Sequence, residues 1–503
     1  MSGQRLSVAA LAILFGGCSL APPPETPVAV AAMPEHFAEA TEADSAAYDP
    51  LRWWESFEDP VLNAVVDTAL AANLDLVEAV GRVEEVRNRY RIARSDFYPQ
   101  ISLGGDANFS SNPSNTGFAG QFSGSGDGEA SAPGPIGLGD RFEFTTYSAS
   151  LGLSYEIDFW GKVGNETKAA VSEFLATRAD LETVRLGVIS AAVSTYFEIQ
   201  ELRLHVELTR QNVDLLQERN ELTEQRYLRG QSTSFELYTI RALHQNVQSS
   251  LPVLESRLGE AEGRLAILLG RYAGTLDGLL LEASGPRRDL SEVPVDLPAA
   301  LLERRPDVFA SGQRMEASRY RVGARKAELL PTISISASAG LQSGSVSNLF
   351  RIDQYFLNLV GGLFAPLITG GRLRANVGVA EAQYQQQVAA YVRTVLTAYK
   401  EVKSTLLNLE KEKERWAFLD EQRESAEASV DFQLRSFRAG SGDYLSYLDA
   451  RRNLVTVQTS LAASDRALVE ARLGVHRALG GAWVTPEDIE ADRDTPAMVE
   501  MIR

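Results

Sequence analysis

Cysteine is almost missing from this chain: Cys18 is the only one in 503 residues. No disulfide can therefore form within the chain, and no cysteine-built zinc cluster is available. Five methionines and that one thiol give no soft-metal signature. The four histidines, His36, His205, His244 and His476, lie far apart in sequence and are expected at the surface. Positive charge is also short, with 49 Lys and Arg against 67 Asp and Glu, a net charge of -18. Such a surface repels phosphate backbones and argues against nucleic-acid binding. Beyond the first 20 positions there is no run of 18 apolar residues, so no helical membrane span is expected. Membrane β-strands leave a weaker trace and are untouched by that argument. The chain has no Walker A motif, no G-x-S-x-G and no H-E-x-x-H, so neither an enzyme nor a bound cofactor is expected.

Proline is absent where its absence matters most. Residues 165–228 hold no Pro and one Gly, Gly187; residues 373–438 hold no Pro and one Gly, Gly378. At 1.5 Å per residue these stretches span ~96 Å and ~99 Å if helical, far beyond an ordinary globular helix. Helices of that length need neighbours to coil against. The first carries two apolar stripes, Leu202, Val206, Val213, Leu216 and Leu204, Leu208, Leu215, Leu222, which suits a helix packed between two others. The shorter stretches that follow step by 3 and 4: Leu251, Leu254, Leu258, Ala261, Leu265, Leu268, and again Leu461, Ser464, Leu468, Ala471, Val475, Ala478. That is a coiled-coil seam.

The second set is the first moved by 210 residues, because the chain is a duplication. At that shift Gly161 meets Gly371, Ser194-Thr195 meets Ser404-Thr405, Gly230 meets Gly440, and Arg241 meets Arg451. Upstream the shift is 232: Asp75 meets Asp307, Arg82 meets Arg314, and Pro99 meets Pro331. The difference, 232 − 210 = 22, places about 22 extra residues in the Gly- and Ser-rich stretch 110–140 of the first copy, which reads as a loop.

Each copy reads helix, strand, loop, strand, long helix, turn, helix. In the strands the period changes to two. Ile101, Leu103, Gly105, Ala107 and Phe109 alternate with Ser102, Gly104, Asp106 and Asn108. Tyr147, Ala149, Leu151, Leu153, Tyr155 and Ile157 alternate with small polar residues, as do Ile333, Ile335, Ala337, Ala339 and Leu341. The fourth strand has Tyr355, Leu357, Leu359, Leu363 and Leu367 on its apolar face, and Phe356, Val360 and Phe364 blur its other face. A half-buried sheet on a soluble core is one reading; a barrel with lipid outside and water inside is the favoured one. Four strands cannot close a membrane barrel, and a bilayer tolerates no open edge. The chain must associate, and three copies would give twelve strands.

The N-terminus reads as an export signal, residues 1–17: Arg5, then the largely apolar Leu6 to Phe15. Phe15-Gly16-Gly17-Cys18 resembles a bacterial lipobox, with Phe15 where Leu is usual, so Cys18 is expected to carry diacylglycerol and palmitate. Ala21 to Ala47 is rich in Pro and Ala and reads as a tether.

Three segments carry a family resemblance. Residues 48–62 (YDPLRWWESFEDPVL), Ser154 to Lys162 (SYEIDFWGK) and Leu301 to Val308 (LLERRPDV) resemble TolC-like outer-membrane efflux lipoproteins of the OprM/NodT branch, over residues 18 to 485. The resemblance implies a mainly α protein with a membrane β-barrel. Three protomers would form a twelve-stranded β-barrel in the outer membrane and a twelve-helix α-barrel in the periplasm. The expected partners are a homotrimer, a periplasmic adaptor, an inner-membrane RND-type pump and outer-membrane lipid. The expected work is passive conduction of drugs or other small molecules; protein secretion, metal export and a non-pore scaffold are the alternatives. The acidic balance is then expected to tune the lumen toward cations.

The layout implied is residues 1–17 signal, 18–60 anchored N-terminal segment, 61–285 first repeat, 286–485 second repeat and 486–503 tail. Within it, helices are expected at 62–96, 165–228, 233–270, 298–329, 373–438 and 443–480, and strands at about 100–110, 143–158, 332–343 and 355–368. The helix-ending turns hold Arg226, Arg229, Gly230, Arg438 and Gly440; the glycines read as helix C-caps and the arginines suit the helix dipole. The resemblance adds contact with the adaptor. Leu445, Asp449 and Arg452 share one helix face and resemble the family's periplasmic gate, Leu445 as a hydrophobic ring and the two charges as ionic links. The equivalent positions in the first copy, Phe235, Thr239 and Ala242, lack the charges.

Overall fold

A computed structural model describes residues 20–24, 27, 30, 52–113, 141–274 and 305–480. Cys18, most of the tether and the 486–503 tail lie outside the described residues. The elements run α1 (Pro60–Ala72), α2 (Leu74–Ser95), β1 (Gln100–Pro113), β2 (Arg141–Ile157), α3 (Lys162–Leu228), α4 (Ser234–Leu268), α5 (Pro306–Ala327), β3 (Thr332–Ser343), β4 (Tyr355–Phe364), α6 (Arg372–Arg438) and α7 (Tyr444–Ala478). The long helices α3 and α6 each have 67 residues. Two compact units are formed, one from residues 1–24, 88–171 and 317–384, the other from 25–87, 172–316 and 385–503. Neither coincides with a sequence repeat, because each unit takes matching segments from both copies.

The first unit holds a four-stranded antiparallel sheet in the order β1-β2-β3-β4. β4 stops at Phe364, short of the expected 368, and Pro366 two residues on has no N–H to continue a ladder. The strand-to-helix junction explains its own sequence. Asp158 accepts from the amides of Val163 (3.1 Å) and Gly164 (2.7 Å) at the start of α3, satisfying donors that a helix start leaves open. Gly161 turns the chain at φ 70°, and the Trp160 indole donates to the Pro331 carbonyl at 2.8 Å. Residues 21 and 22, at the start of the expected tether, pack against α5. Arg319 donates to the Pro22 carbonyl at 2.6 Å, and a side chain at Gly323 would meet the Ala21 backbone.

In the second unit the expected helix 62–96 is two helices, bent by 41° at Asn73. The Asn73 side chain accepts from the amides of Asp75 (2.9 Å) and Leu76 (3.2 Å) and donates to the Leu268 carbonyl (3.1 Å). It therefore caps α2 while tying the break to the end of α4. Asp59 begins α1 in the same way, accepting from Val61 and Leu62, and Tyr196 donates to its other oxygen at 2.6 Å. The preceding turn Trp53–Phe57 buries three aromatic rings. Trp53 stacks on His476 with centroids 4.6 Å apart. His476 is thus a core residue, contrary to expectation. Burial first, then Arg472, pushes its pKa down to about 3, so it stays a neutral ring under Trp53.

The same unit sets its long helices in the order α4-α3-α7-α6. Arg203–Glu262 and Arg210–Glu255, both at 2.8 Å, join α3 to α4. Arg466–Glu201 at 3.8 Å joins α7 to α3, and the Trp416 indole donates to Asp465 at 2.6 Å between α6 and α7. The α4 and α7 seams are buried where the 3-4 spacing put them, through Leu254, Ala261, Leu265 and Leu461, Ser464, Ala471, Val475. Leu204, expected in a stripe, is exposed. The flanking α6 leaves Leu396, Leu407, Phe418 and Phe432 uncovered. Their steps of 11, 11 and 14 residues are each near a whole number of turns, so they share one face.

Candidate functional site

Two features of one chain are unfinished, the sheet and the helix tips. Across the sheet the register aligns like with like. Leu103 pairs Leu151, Leu151 pairs Ala339 and Ala339 pairs Leu357; Ile101, Leu153, Ala337 and Leu359 form the next apolar rung. Between them run polar rungs such as Ser102, Gly152, Ser338 and Asn358. One face is therefore apolar across all four strands, yet it is bare: Leu103 is 81 % exposed and Leu359 73 %. A face this apolar is not left to water. Among the described residues β1 and β4 each pair on one side only, so both outer edges present unpaired backbone groups.

At the tips, the two turns between long and short helices have the same geometry. Gly230 and Gly440 adopt φ of 73° and 74°. Gly230 N–H donates to Tyr227 O and Gln231 N–H to Arg226 O; Gly440 N–H donates to Phe437 O and Ser441 N–H to Ser436 O. This is the Schellman pattern that satisfies a helix's last carbonyls. Arg229 and Arg438 are exposed beside these glycines.

Of the residues singled out from sequence, Leu445 and Asp449 are brought to one place. Leu445 is 9 % exposed and packs with Leu208, Leu215, Leu448 and Val455 in the seam between α3 and α7. Asp449 pairs with Arg219 of α3. Burial, then the charge of Arg452, lowers the Arg219 pKa. Arg452 thus bears on the same cluster, and among the described residues it forms no ion pair. Two further links tie the seam: Tyr444 donates to Glu218 at 2.6 Å, and Arg226 reaches Asp443 at 3.4 Å. The Glu218 bond pushes the Tyr444 phenol up to about 12.

Glu218 and Arg219 were missed from sequence. The repeat holds the signal that would have found them. Moved by 210, they become Ala428 and Ser429, just as Asp449 and Arg452 correspond to Thr239 and Ala242. Both sides of the seam are charged in one combination and neutral in the other.

Comparison with known proteins adds the following. The outer membrane efflux protein family matches over residues 65–271 and 297–481. The pyoverdine export outer membrane protein OpmQ of Pseudomonas putida is 28 % identical over 483 residues, 95 % of this chain and 98 % of its own. The cation efflux system protein CusC of Escherichia coli is 26 % identical over 489 residues, 96 % of this chain and 100 % of its own. Among solved structures, the CmeC outer membrane channel of Campylobacter jejuni superposes with a TM-score of 0.80 at 22 % identity, covering 97 % of this chain and 98 % of that one.

Proposed function

The chain belongs to the outer membrane efflux protein family, and from that premise we propose that it is the exit duct of a three-part efflux assembly. Three copies close the sheets into a twelve-stranded barrel in the outer membrane, and their long helices close into a tube in the periplasm. A periplasmic adaptor and an inner-membrane RND-type pump load it with drugs or other small molecules. The chain works as a conduit and carries out no reaction. Cys18 holds it to the outer membrane by its lipid. Arg226, Arg229, Gly230, Arg438 and Gly440 form the tip that meets the adaptor.

The observation that carries this reading is the continuous apolar face on a sheet with two unpaired edges. Lipid covers such a face, and only a neighbouring strand satisfies such an edge. The bare apolar line of α6 supports the same closure, since the other open flank of the helix set is α4.

Leu445, Asp449 and Arg452 make the periplasmic gate. Asp449 holds α7 against α3 through Arg219. Leu445 anchors the same turn in the seam and presents its remaining edge to the other protomers. Arg452 supplies the link between chains. Native mass spectrometry of protein extracted from outer membranes tests the assembly. The expected species is a trimer of chains starting at acylated Cys18, 503 − 17 = 486 residues each. A monomer would overturn the channel reading, and a trimer without acyl mass would remove only the anchor.

A further inference from the structure

The polar face of the sheet is not uniform: Phe144 of β2 interrupts it once, opposite Ser110, and β4 interrupts it repeatedly. The register puts Gln100, Ser102, Gly104, Asp106, Asn108 and Ser110 of β1 on that face. Ser150, Gly152 and Ser154 of β2 join them, with Ser334, Ser336, Ser338 and Gly340 of β3. These are small or hydrogen-bonding residues. β4 contributes Phe356, Val360 and Phe364 to the same face, separated by Asn358 and Gly362. Leu357 and Leu359 lie in the apolar rungs with Leu103 and Ile101, so strand parity fixes Phe356, Val360 and Phe364 on the opposite side. Val360 is 57 % exposed and Phe364 69 %, so they are not folded into a core. At about 3.3 Å per residue they spread over roughly 26 Å along the strand.

Charge on this face is of one sign. Its ionisable strand residues, among those described, are Asp106 and Glu156. Glu156 is bound by Lys162 at 3.2 Å. Asp106 receives only the Ser148 hydroxyl, at 3.5 Å, and forms no ion pair among the described residues. It lies two residues along β1 from Gly104, whose rung continues through Ser150 and Gly340 to Phe356. An uncompensated carboxylate thus stands at the level where the apolar line begins.

We propose that Phe356, Val360, Phe364 and Asp106 form a lumenal track that favours amphiphilic cations, solutes joining an apolar body to a positive charge. This rests on the channel reading above, which makes the polar face the lumen. Closure places β4 of one protomer against β1 of the next, because those are the two unpaired edges, so three such tracks line the barrel. Rings and branched side chains give a passing apolar body a surface to shed water against. Aromatic faces also attract a cation, and the Asp106 carboxylates raise its local concentration. Apolar anions lose on the second count, and small hydrated cations lose on the first.

Conductance of the full-length trimer in planar bilayers tests this with three probes: tetrapentylammonium, tetramethylammonium and hexanesulfonate. Tetrapentylammonium should block the current at the lowest concentration. The Phe356→Ser/Val360→Ser/Phe364→Ser variant should need about tenfold more of it, roughly the loss of one well-buried apolar contact. Asp106→Asn should weaken block by tetrapentylammonium and strengthen block by hexanesulfonate, because the carboxylate that repels the anion is gone. Phe356→Leu/Phe364→Leu keeps the apolar surface and should retain most of the block, which separates loss of the track from damage to the barrel. Equal block of the wild-type and triple-serine channels would overturn the track, and hexanesulfonate blocking as well as tetrapentylammonium would overturn its preference for cations. A channel that conducts but discriminates among none of the probes defeats this inference alone; no conductance in any variant defeats the channel reading with it.

Discussion

The two helix tips share a turn and differ in what surrounds it. Both end a 67-residue helix on a left-handed glycine with the same pair of backbone hydrogen bonds. Around the glycines the copies have diverged. The seam between α3 and α7 carries Glu218 and Arg219 against Tyr444 and Asp449. The converse combination offers Ala428 and Ser429 against Ser234 and Thr239. Backbone geometry is the same where each long helix ends, while the charges at these four positions occur in the α3–α7 combination and not in its converse. The duplicated turn is common to both tips, and the unshared charges are the lock we propose.

The largest effect expected from breaking this asymmetry comes from Asp449→Ala. It leaves Arg219, whose side chain is 17 % exposed, without its carboxylate partner, and α7 loses the ionic link that holds it to α3. Single-channel conductance in planar bilayers should rise severalfold. Installing the missing charges should act in the opposite direction. Ser429→Arg/Thr239→Asp, placed in the Asp449→Ala background, should lower conductance again, because α4 and α6 are the flanks that meet when three chains close. Smaller effects are expected where the tips agree. Gly230→Ala and Gly440→Ala should each destabilise by about 1–2 kcal/mol, and equally, since both φ values are near +73° and neither site has atoms within 4 Å of a new methyl group. Thermal unfolding of the two variants checks that equality.

The smallest effect should come from Tyr444→Phe, which removes an exposed hydrogen bond to Glu218 and should cost below about 1 kcal/mol. Its pH dependence has a definite sign. The folded phenol is raised to about 12 against an ordinary 10.0. Its contribution is therefore complete below pH 10 and is lost as pH rises toward 12. Wild type should lose stability over that window more steeply than Tyr444→Phe.

Much of this architecture was open to reading because it rests on period and repetition. Strand alternation from Ile101 to Phe109 and from Tyr147 to Ile157 survives as one face of the sheet. The absence of proline and near-absence of glycine from 165–228 survives within one unbroken helix. What stayed hidden depended on contacts between distant segments. His476 sits on a helix like any surface residue, and only the fold brings Trp53 over it. The docking of Pro22 depends on Arg319, almost 300 residues away. Arg219 has many charged neighbours in sequence, and nothing local marks it as the partner of Asp449. The 41° break at Asn73 is tied to the carbonyl of Leu268, nearly 200 residues away. The early end of β4 was legible in Pro366 and was overridden by the apolar pattern that continues to Leu367.

The link between Arg219 and Asp449 is the centre of the proposed lock, and exchanging the two charges tests it most directly. Arg219→Asp and Asp449→Arg should each raise conductance by setting like charges against each other. The double variant Arg219→Asp/Asp449→Arg restores an opposite pair in the same seam, and its conductance in planar bilayers should return close to the wild-type value. A double variant as open as either single one, or single variants that conduct like wild type, would contradict the lock.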